Sequence, residues 1–362
     1  DLGWSRGLGD VYKRQEDAHG RNIAIGRDAL KLQDAGADGY NTAIGYVAGA
    51  NVTTGTLNTI IGGQAGDALT TGAANVAMGY SALSSEDSHN YNVAIGYRSL
   101  ATQNAGAHAY NTAVGNDTGR LITTGVQNTV VGGQAGDALT TGAYNVALGT
   151  SALGSEDTGS RNVAIGWSAL EDQNHDGDAY NTAVGYAAGK ELTSGINNTL
   201  IGGLAGDSLT EGGRNVAIGF SALGSEDAHG KNIAIGYAAL AAQNAGADGY
   251  NIAIGYDCGK AITNGILNTL VGGSAGDALT EGDSNVAIGY LALSAETLGD
   301  RNVAVGLGAL AAQNNTSDTD VYNTAIGYNA GAAVTTGLSN TLIGGLAGDA
   351  LTTGSDNVAV GV

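Results

Sequence analysis

The sequence predicts an all-β protein, a parallel β-solenoid, and three observations predict it. A five-residue motif, N-x-x-φ-G with φ apolar, recurs twenty times. Its copies keep a fixed spacing. The composition leaves little material for an ordinary globular core: glycine supplies 62 of 362 residues, proline none, and aromatic residues 5%. The motif starts at Asn22, Asn41, Asn58, Asn75 and Asn92 and continues to Asn357, with spacings of 19, 17, 17 and 17 residues that then repeat. The repeating unit is therefore a four-coil cycle of 70 residues, opening at Asn22, Asn92, Asn162, Asn232 and Asn302. The last cycle carries a two-residue insertion near Ser317 to Val321.

Each motif position has a physical reading, counted from the asparagine. Position two is Val, Ile or Thr, position three is usually Ala, and position four is apolar in all twenty copies (Ile25, Ile44, Ile61, Met78 and onward). Such β-branched, period-two alternation predicts a short strand of about five residues. No hairpin turn follows it, so equivalent strands of successive coils stack in parallel, about 4.8 Å apart. Glycine at position five suits a sharp turn at the strand end. The asparagine suits a turn cap and, repeated in every coil, an amide ladder. Position eight is nearly always Ala (Ala29, Ala48, Ala65, Ala82), which predicts a tight interior. The first and fourth coil types carry Leu at position nine (Leu30, Leu83, Leu153, Leu240). The second and third carry Gly there and move the apolar anchor to position twelve (Val52, Leu69, Ile122, Leu139). The stretch after the motif glycine fits a second short strand or one helical turn equally well.

Repeat sequence spans residues 16–362, and residues 1–15 (DLGWSRGLGDVYKRQ) match no part of the cycle. That leader reads as artefactual, and the ending one residue past a motif reads as a truncation. The strict phasing of valines and isoleucines argues against disorder, and the lack of proline against collagen. A formal charge of −20 makes nucleic acid an unsuitable partner. A single cysteine excludes an internal disulfide framework. No apolar run is long enough to span a membrane as a helix, so no membrane insertion is expected in this segment. Each coil buries few aliphatic side chains, which predicts lateral association of copies.

The strings NVAIG, NTAIGY and NVAIGYSAL resemble the head repeats of YadA-like trimeric autotransporter adhesins. They are also similar to the NTAIGYxAL repeats of bacteriophage tail fibres, which often carry a chaperone-of-endosialidase domain. The resemblance covers residues 16–362. It implies a left-handed β-roll and a homotrimeric rod. It also implies exposure on a cell or virion surface and a role in attachment to a host glycan or protein receptor. The coil here is longer than the YadA unit, and no stalk, membrane anchor or chaperone domain is visible in these residues. Bacterial adhesin and phage fibre therefore both stay open, as does end-to-end assembly into a filament.

The candidate chemistry is sparse. The third coil type carries GGxAGD, ending at Asp67, Asp137, Asp207, Asp277 and Asp349. These are calcium candidates by likeness to glycine-rich calcium repeats, but they recur only every fourth coil, which favours turns with solvated carboxylates. Paired threonines (Thr53 and Thr54, Thr70 and Thr71) suggest ice binding, but the array breaks after two coils. Tyrosines before the asparagine (Tyr40, Tyr110, Tyr180, Tyr250, Tyr322) are candidate glycan contacts, with edge packing the plainer reading. A second aromatic set follows the glycine (Tyr46, Tyr80, Tyr97, Tyr186, Tyr237). Cys258 falls in the small-residue column and is expected to be buried. Acid pairs such as Glu156 and Asp157 are read as solvated loop residues, and the histidines as lacking partners at ligand spacing. No catalytic constellation and no cofactor site are expected.

Overall fold

A computed structural model describes residues 20–106 and 108–362; the leader 1–15 lies outside the described residues. The chain forms two units, Asp1–Tyr180 and Asn181–Val362. Both are parallel β-solenoids, and no helix occurs among the described residues. In the first unit the strands are β1 (Ile23–Ile25), β2 (Thr42–Ile44), β3 (Thr59–Ile61), β4 (Val76–Met78) and β5 (Val93–Ile95), followed by β6 (Thr112–Val114), β7 (Thr129–Val131), β8 (Val146–Leu148) and β9 (Val163–Ile165). Each pairs in parallel with the next, like position opposite like position: Thr42 faces Thr59, Ala43 faces Ile60, and Ile44 faces Ile61.

The second unit repeats the arrangement with β10 (Thr182–Val184), β11 (Thr199–Ile201), β12 (Val216–Ile218), β13 (Ile233–Ile235), β14 (Ile252–Ile254), β15 (Thr269–Val271) and β16 (Val286–Ile288). Where the last cycle begins, β17 (Gly299–Asp300) and β19 (Thr319–Asp320), the latter within the inserted stretch, form a separate parallel pair; at the same phase in the first unit Ser160 and Asp178 make a single bridge. The main stack continues through β18 (Val303–Val305), β20 (Thr324–Ile326), β21 (Thr341–Ile343) and β22 (Val358–Val360).

The strands are three residues long, shorter than the five the motif suggests. Both motif ends are diverted from the ladder. The asparagine N–H donates to a side chain instead of a strand: Asn58 N donates to Asn41 Oδ1 at 2.8 Å, and Asn75 N to Asn58 Oδ1 at 2.9 Å. The same amides close their own coil, with Asn58 Nδ2 donating to the Gly72 carbonyl at 2.8 Å. The amide ladder is thus a relay from one coil's side chain to the next coil's backbone. At the other end the glycine takes φ = +131° at Gly132 and turns the chain off the strand line. The residues after it form turns, neither a second strand nor a helical turn.

The interior begins at position three. Ala43, Ile60, Ala77 and Ala94 are fully buried, whereas the residues on either side of them in β2–β5 are half-buried and face outward. The Ala column at position eight is buried as expected, and Cys258 takes its place there with no exposure. Burial pushes the Cys258 thiol up to about 12, so it stays protonated.

Volume explains the swapped anchor. Position nine is left-handed in both forms, at Leu83 (φ 52°) and at Gly66 (φ 48°). A Cβ on Gly66 would lie 2.9 Å from Leu69 Cδ1, so the position-twelve leucine already fills that space. Left-handed leucine costs about 1–2 kcal/mol. Complete burial of Leu83 and Leu153 offsets that cost.

Candidate functional site

Position twelve holds the largest departure from expectation. The second and third coil types place buried aliphatics there, such as Val52 and Leu69. The first and fourth types place buried polar groups in the same column: Gln33, Gln103, Gln173, Gln243 and Gln313, and Glu86, Glu156, Glu226 and Glu296. All four glutamates have no exposed surface. The reading of Glu156 as a solvated loop acid is therefore incorrect; its neighbour Asp157 lies at intermediate burial.

These glutamates cap turns from inside. Gly159 N donates to Glu156 Oε1 at 2.6 Å, and His175 N of the next coil donates to Oε2 at 3.3 Å. Burial raises the Glu156 and Glu226 carboxyls above their usual range, while backbone N–H donors pull the other way. The glutamines brace the following coil. Gln33 Nε2 donates to the Thr53 carbonyl at 3.0 Å, and Gln33 Oε1 accepts from Asn41 Nδ2 at 2.7 Å.

Two histidines also depart from expectation. His89 Nδ1 lies 2.7 Å from Glu86 Oε1, and His229 Nδ1 lies 3.6 Å from Glu226 Oε1. Both therefore have partners at ligand distance, contrary to the sequence reading. With Asp87 and Asp227 they form two groups, each with one ligand atom per residue and all three atoms within 4.8 Å of one another.

The GGxAGD aspartates do not gather into a site. Asp67, Asp137, Asp207 and Asp277 are half-buried, Asp349 is exposed, and none belongs to either group. Burial raises the carboxyls of the first four. Asp67 Oδ1 and Asp277 Oδ1 are buried without hydrogen-bond partners. The first threonine of each pair is committed to the fold as well, while Thr54 and Thr71 are exposed. Thr53 Oγ1 donates to the Thr70 carbonyl at 3.1 Å, and Thr70 Oγ1 donates to the Asp87 carbonyl at 2.9 Å.

The five tyrosines before the asparagine sit at the coil edge, each partnered from the preceding coil. Arg21 lies over Tyr40 at 5.5 Å, Arg161 over Tyr180 at 5.5 Å, Lys231 over Tyr250 at 4.8 Å and Arg301 over Tyr322 at 5.8 Å. Tyr110 stacks on Tyr91 at 5.1 Å instead. Acids complete the cationic clusters, with Asp38 beside Arg21, Asp178 beside Arg161, Asp248 beside Lys231 and Asp320 beside Arg301. A sugar stacking on the covered face of such a ring would have to displace a cation or another ring. The aromatics after the glycine are freer. Tyr80 stacks on Tyr97 at 5.8 Å, Phe220 on Tyr237 at 5.8 Å and Tyr237 on Tyr256 at 5.2 Å, and all stay about half exposed.

No protein-family model matches the chain, and no curated protein matches it in sequence.

The raised carboxyls give a pH prediction. A carboxyl raised in the folded state binds its proton more readily there than in the unfolded chain. Its contribution to stability is full below the unfolded value, 3.8 for the aspartates, and is lost as pH rises through the folded value. Asp248, lowered by Lys231, runs the opposite way but is a single, partly exposed group. The expected outcome is a melting temperature that rises as pH falls from neutral towards the unfolded value of the aspartates. The combined replacement of Asp67, Asp137, Asp207 and Asp277 by asparagine should flatten that rise. A melting temperature that falls steadily over the range contradicts it.

Proposed function

We propose that the chain is a non-enzymatic structural and adhesive segment of an extracellular fibre, in which copies associate side by side, as a trimer, through the outer strand face. One observation carries this reading. Position four, apolar in every coil, points outward and is nowhere fully buried: it is half-buried in most coils, as at Ile44 and Ile61, and exposed in others, as at Ile254 (37%) and Ile326 (39%). Position two adds Val, Ile or Thr beside it, and the stacked aromatics border it. Within each unit, an outward apolar strip of this kind marks an association surface. Because the strip repeats with the coil, the surface that matches it best is another copy in the same register. The −20 charge, carried largely by loops, disfavours other contacts between copies.

The test is the mass in solution. The assembly is expected at three times the 35.7 kDa chain. The pair Ile235→Lys and Ile254→Lys, on adjacent strands of the strip, should shift it to the single-chain mass. A wild-type chain that sediments as a monomer ends the proposal.

A further inference from the structure

The four buried glutamates of position twelve provide an internal comparison. Two lie in coils without a histidine, and there the chain supplies donors to both carboxylate oxygens. Glu156 receives Gly159 N on Oε1 and His175 N on Oε2. Glu296 receives Gly299 N at 2.9 Å and Asn315 N at 3.0 Å on Oε1, and Gln313 Nε2 at 2.8 Å and Asn315 Nδ2 at 3.0 Å on Oε2. The other two lie in coils reading Glu-Asp-x-His. In both, Oε2 is buried with no hydrogen-bond partner (Glu86 and Glu226), and in the second His229 Nδ1 has none either. An unpartnered carboxylate oxygen in a dry interior is costly. Among these four glutamates the shortfall occurs only in the two coils that bring a histidine and a second carboxylate within 4.8 Å of the glutamate.

We propose that Glu86, Asp87 and His89, and equivalently Glu226, Asp227 and His229, are two sites for a divalent transition-metal ion of the zinc class. The ion would be held by the histidine Nδ1 and oxygens of the two carboxylates. Ligands on a tetrahedral zinc ion, with bonds of about 2.0–2.1 Å, stand roughly 3.3 Å apart. The His89 Nδ1 distances, 2.7 Å to Glu86 Oε1 and 3.9 Å to Asp87 Oδ1, bracket that spacing. An imidazole with two carboxylates suits zinc, cobalt or nickel; calcium prefers six to eight oxygens and gains nothing from the nitrogen.

The backbone holds both groups in the same way. The Asp87 and Asp227 carbonyls accept from Thr70 N and Thr210 N, each at 2.5 Å. The His89 and His229 carbonyls accept from the coil-closing Asn75 Nδ2 at 2.9 Å and Asn215 Nδ2 at 3.3 Å. The imidazoles keep some exposure, 14% and 29% of the side chain, so an ion can enter from solvent. The same tetrapeptide occurs at Glu16 to His19, outside the described residues.

Calorimetric titration of the full, chelator-stripped chain with zinc near neutral pH tests this, compared with the double variant His89→Gln and His229→Gln. The variant should bind two fewer zinc ions per chain. Cobalt should give visible ligand-field bands that weaken by the same two equivalents, and excess calcium should not displace it. Equal stoichiometry in variant and wild type overturns the proposal, as does a wild-type chain that binds no zinc. The histidines lie at the coil margin, so the variant is expected to keep the wild-type circular dichroism. Should it not, Asp87→Asn with Asp227→Asn, which alters only partly exposed carboxylates, must lower zinc affinity at least tenfold, and unchanged affinity then overturns the proposal.

Discussion

Replacing Asn128 by alanine is expected to destabilise its unit by roughly 2–6 kcal/mol. The change orphans two groups, each worth about 1–3 kcal/mol when left buried and unpaired. One is the Asn145 N–H, which donates to Asn128 Oδ1 at 2.9 Å. The other is the Gly142 carbonyl, which accepts from Asn128 Nδ2 at 2.8 Å. Asn145 has no exposed surface, so water cannot replace the lost acceptor without opening the coil. The aspartate variant separates the two bonds. Asn128→Asp keeps the acceptor for Asn145 but loses the donor to Gly142 unless the new carboxyl is protonated. Its deficit should shrink as pH falls. Asn92→Ala is the milder control, because Asn92 Nδ2 has no hydrogen-bond partner to lose and only the 3.2 Å bond from Asn111 N is removed. Solenoids often unfold in parts, so denaturant midpoints should be paired with hydrogen exchange at the Asn145 amide. Equal effects from Asn128→Ala and Asn92→Ala would refute the coil-closing role.

The second large effect is expected at the glycine column. A Cβ on Gly132 would lie 2.5 Å from the carbonyl oxygen of Gly149, and its φ of +131° is one that side-chain-bearing residues rarely adopt. The obstruction is backbone, so no rotamer change relieves it. Overpacking and backbone strain each cost about 1–3 kcal/mol, which puts Gly132→Ala at roughly 2–6 kcal/mol. Gly133, one residue on, has open space where its Cβ would be and no positive φ. Gly133→Ala should stay within about 0.5 kcal/mol of wild type. Thermal melting of the two variants side by side is decisive, since comparable losses would mean that the close approach of successive glycines is unimportant.

Much of this fold is legible in the sequence because its determinants are local and repeated. The asparagine, the glycine, the Ala column and the swap between Leu83 and Leu69 all recur in phase. Facing is harder to read. Position four is apolar in every coil, yet it is position three, Ala43 or Ala77 in most coils and Ile60 in a third-type coil, that lies inside. The buried acids were obscured by their neighbours. Glu156 beside Asp157 has the look of a wet loop, and only its phase, shared with Leu139 and Ile122, reveals that it points inward. His89 is hidden in the same way, since its partner is the buried Glu86. Where the tyrosines sit was legible, but their companions were not. The pairing of Lys231 with Tyr250 spans 19 residues and depends on the coil length.

The polar layer at position twelve also sets how the array can change in length. Glu156 and Glu296 draw donors from the coil that follows, and Gln33 and Gln243 need the coil after their own. Deleting the Gln-bearing coil that follows a glutamate would set that buried carboxylate against an aliphatic neighbour in place of its donors. Deleting four restores every partner. Gene duplication or loss should therefore be tolerated in whole 70-residue steps and selected against in between, so the fold counts in fours.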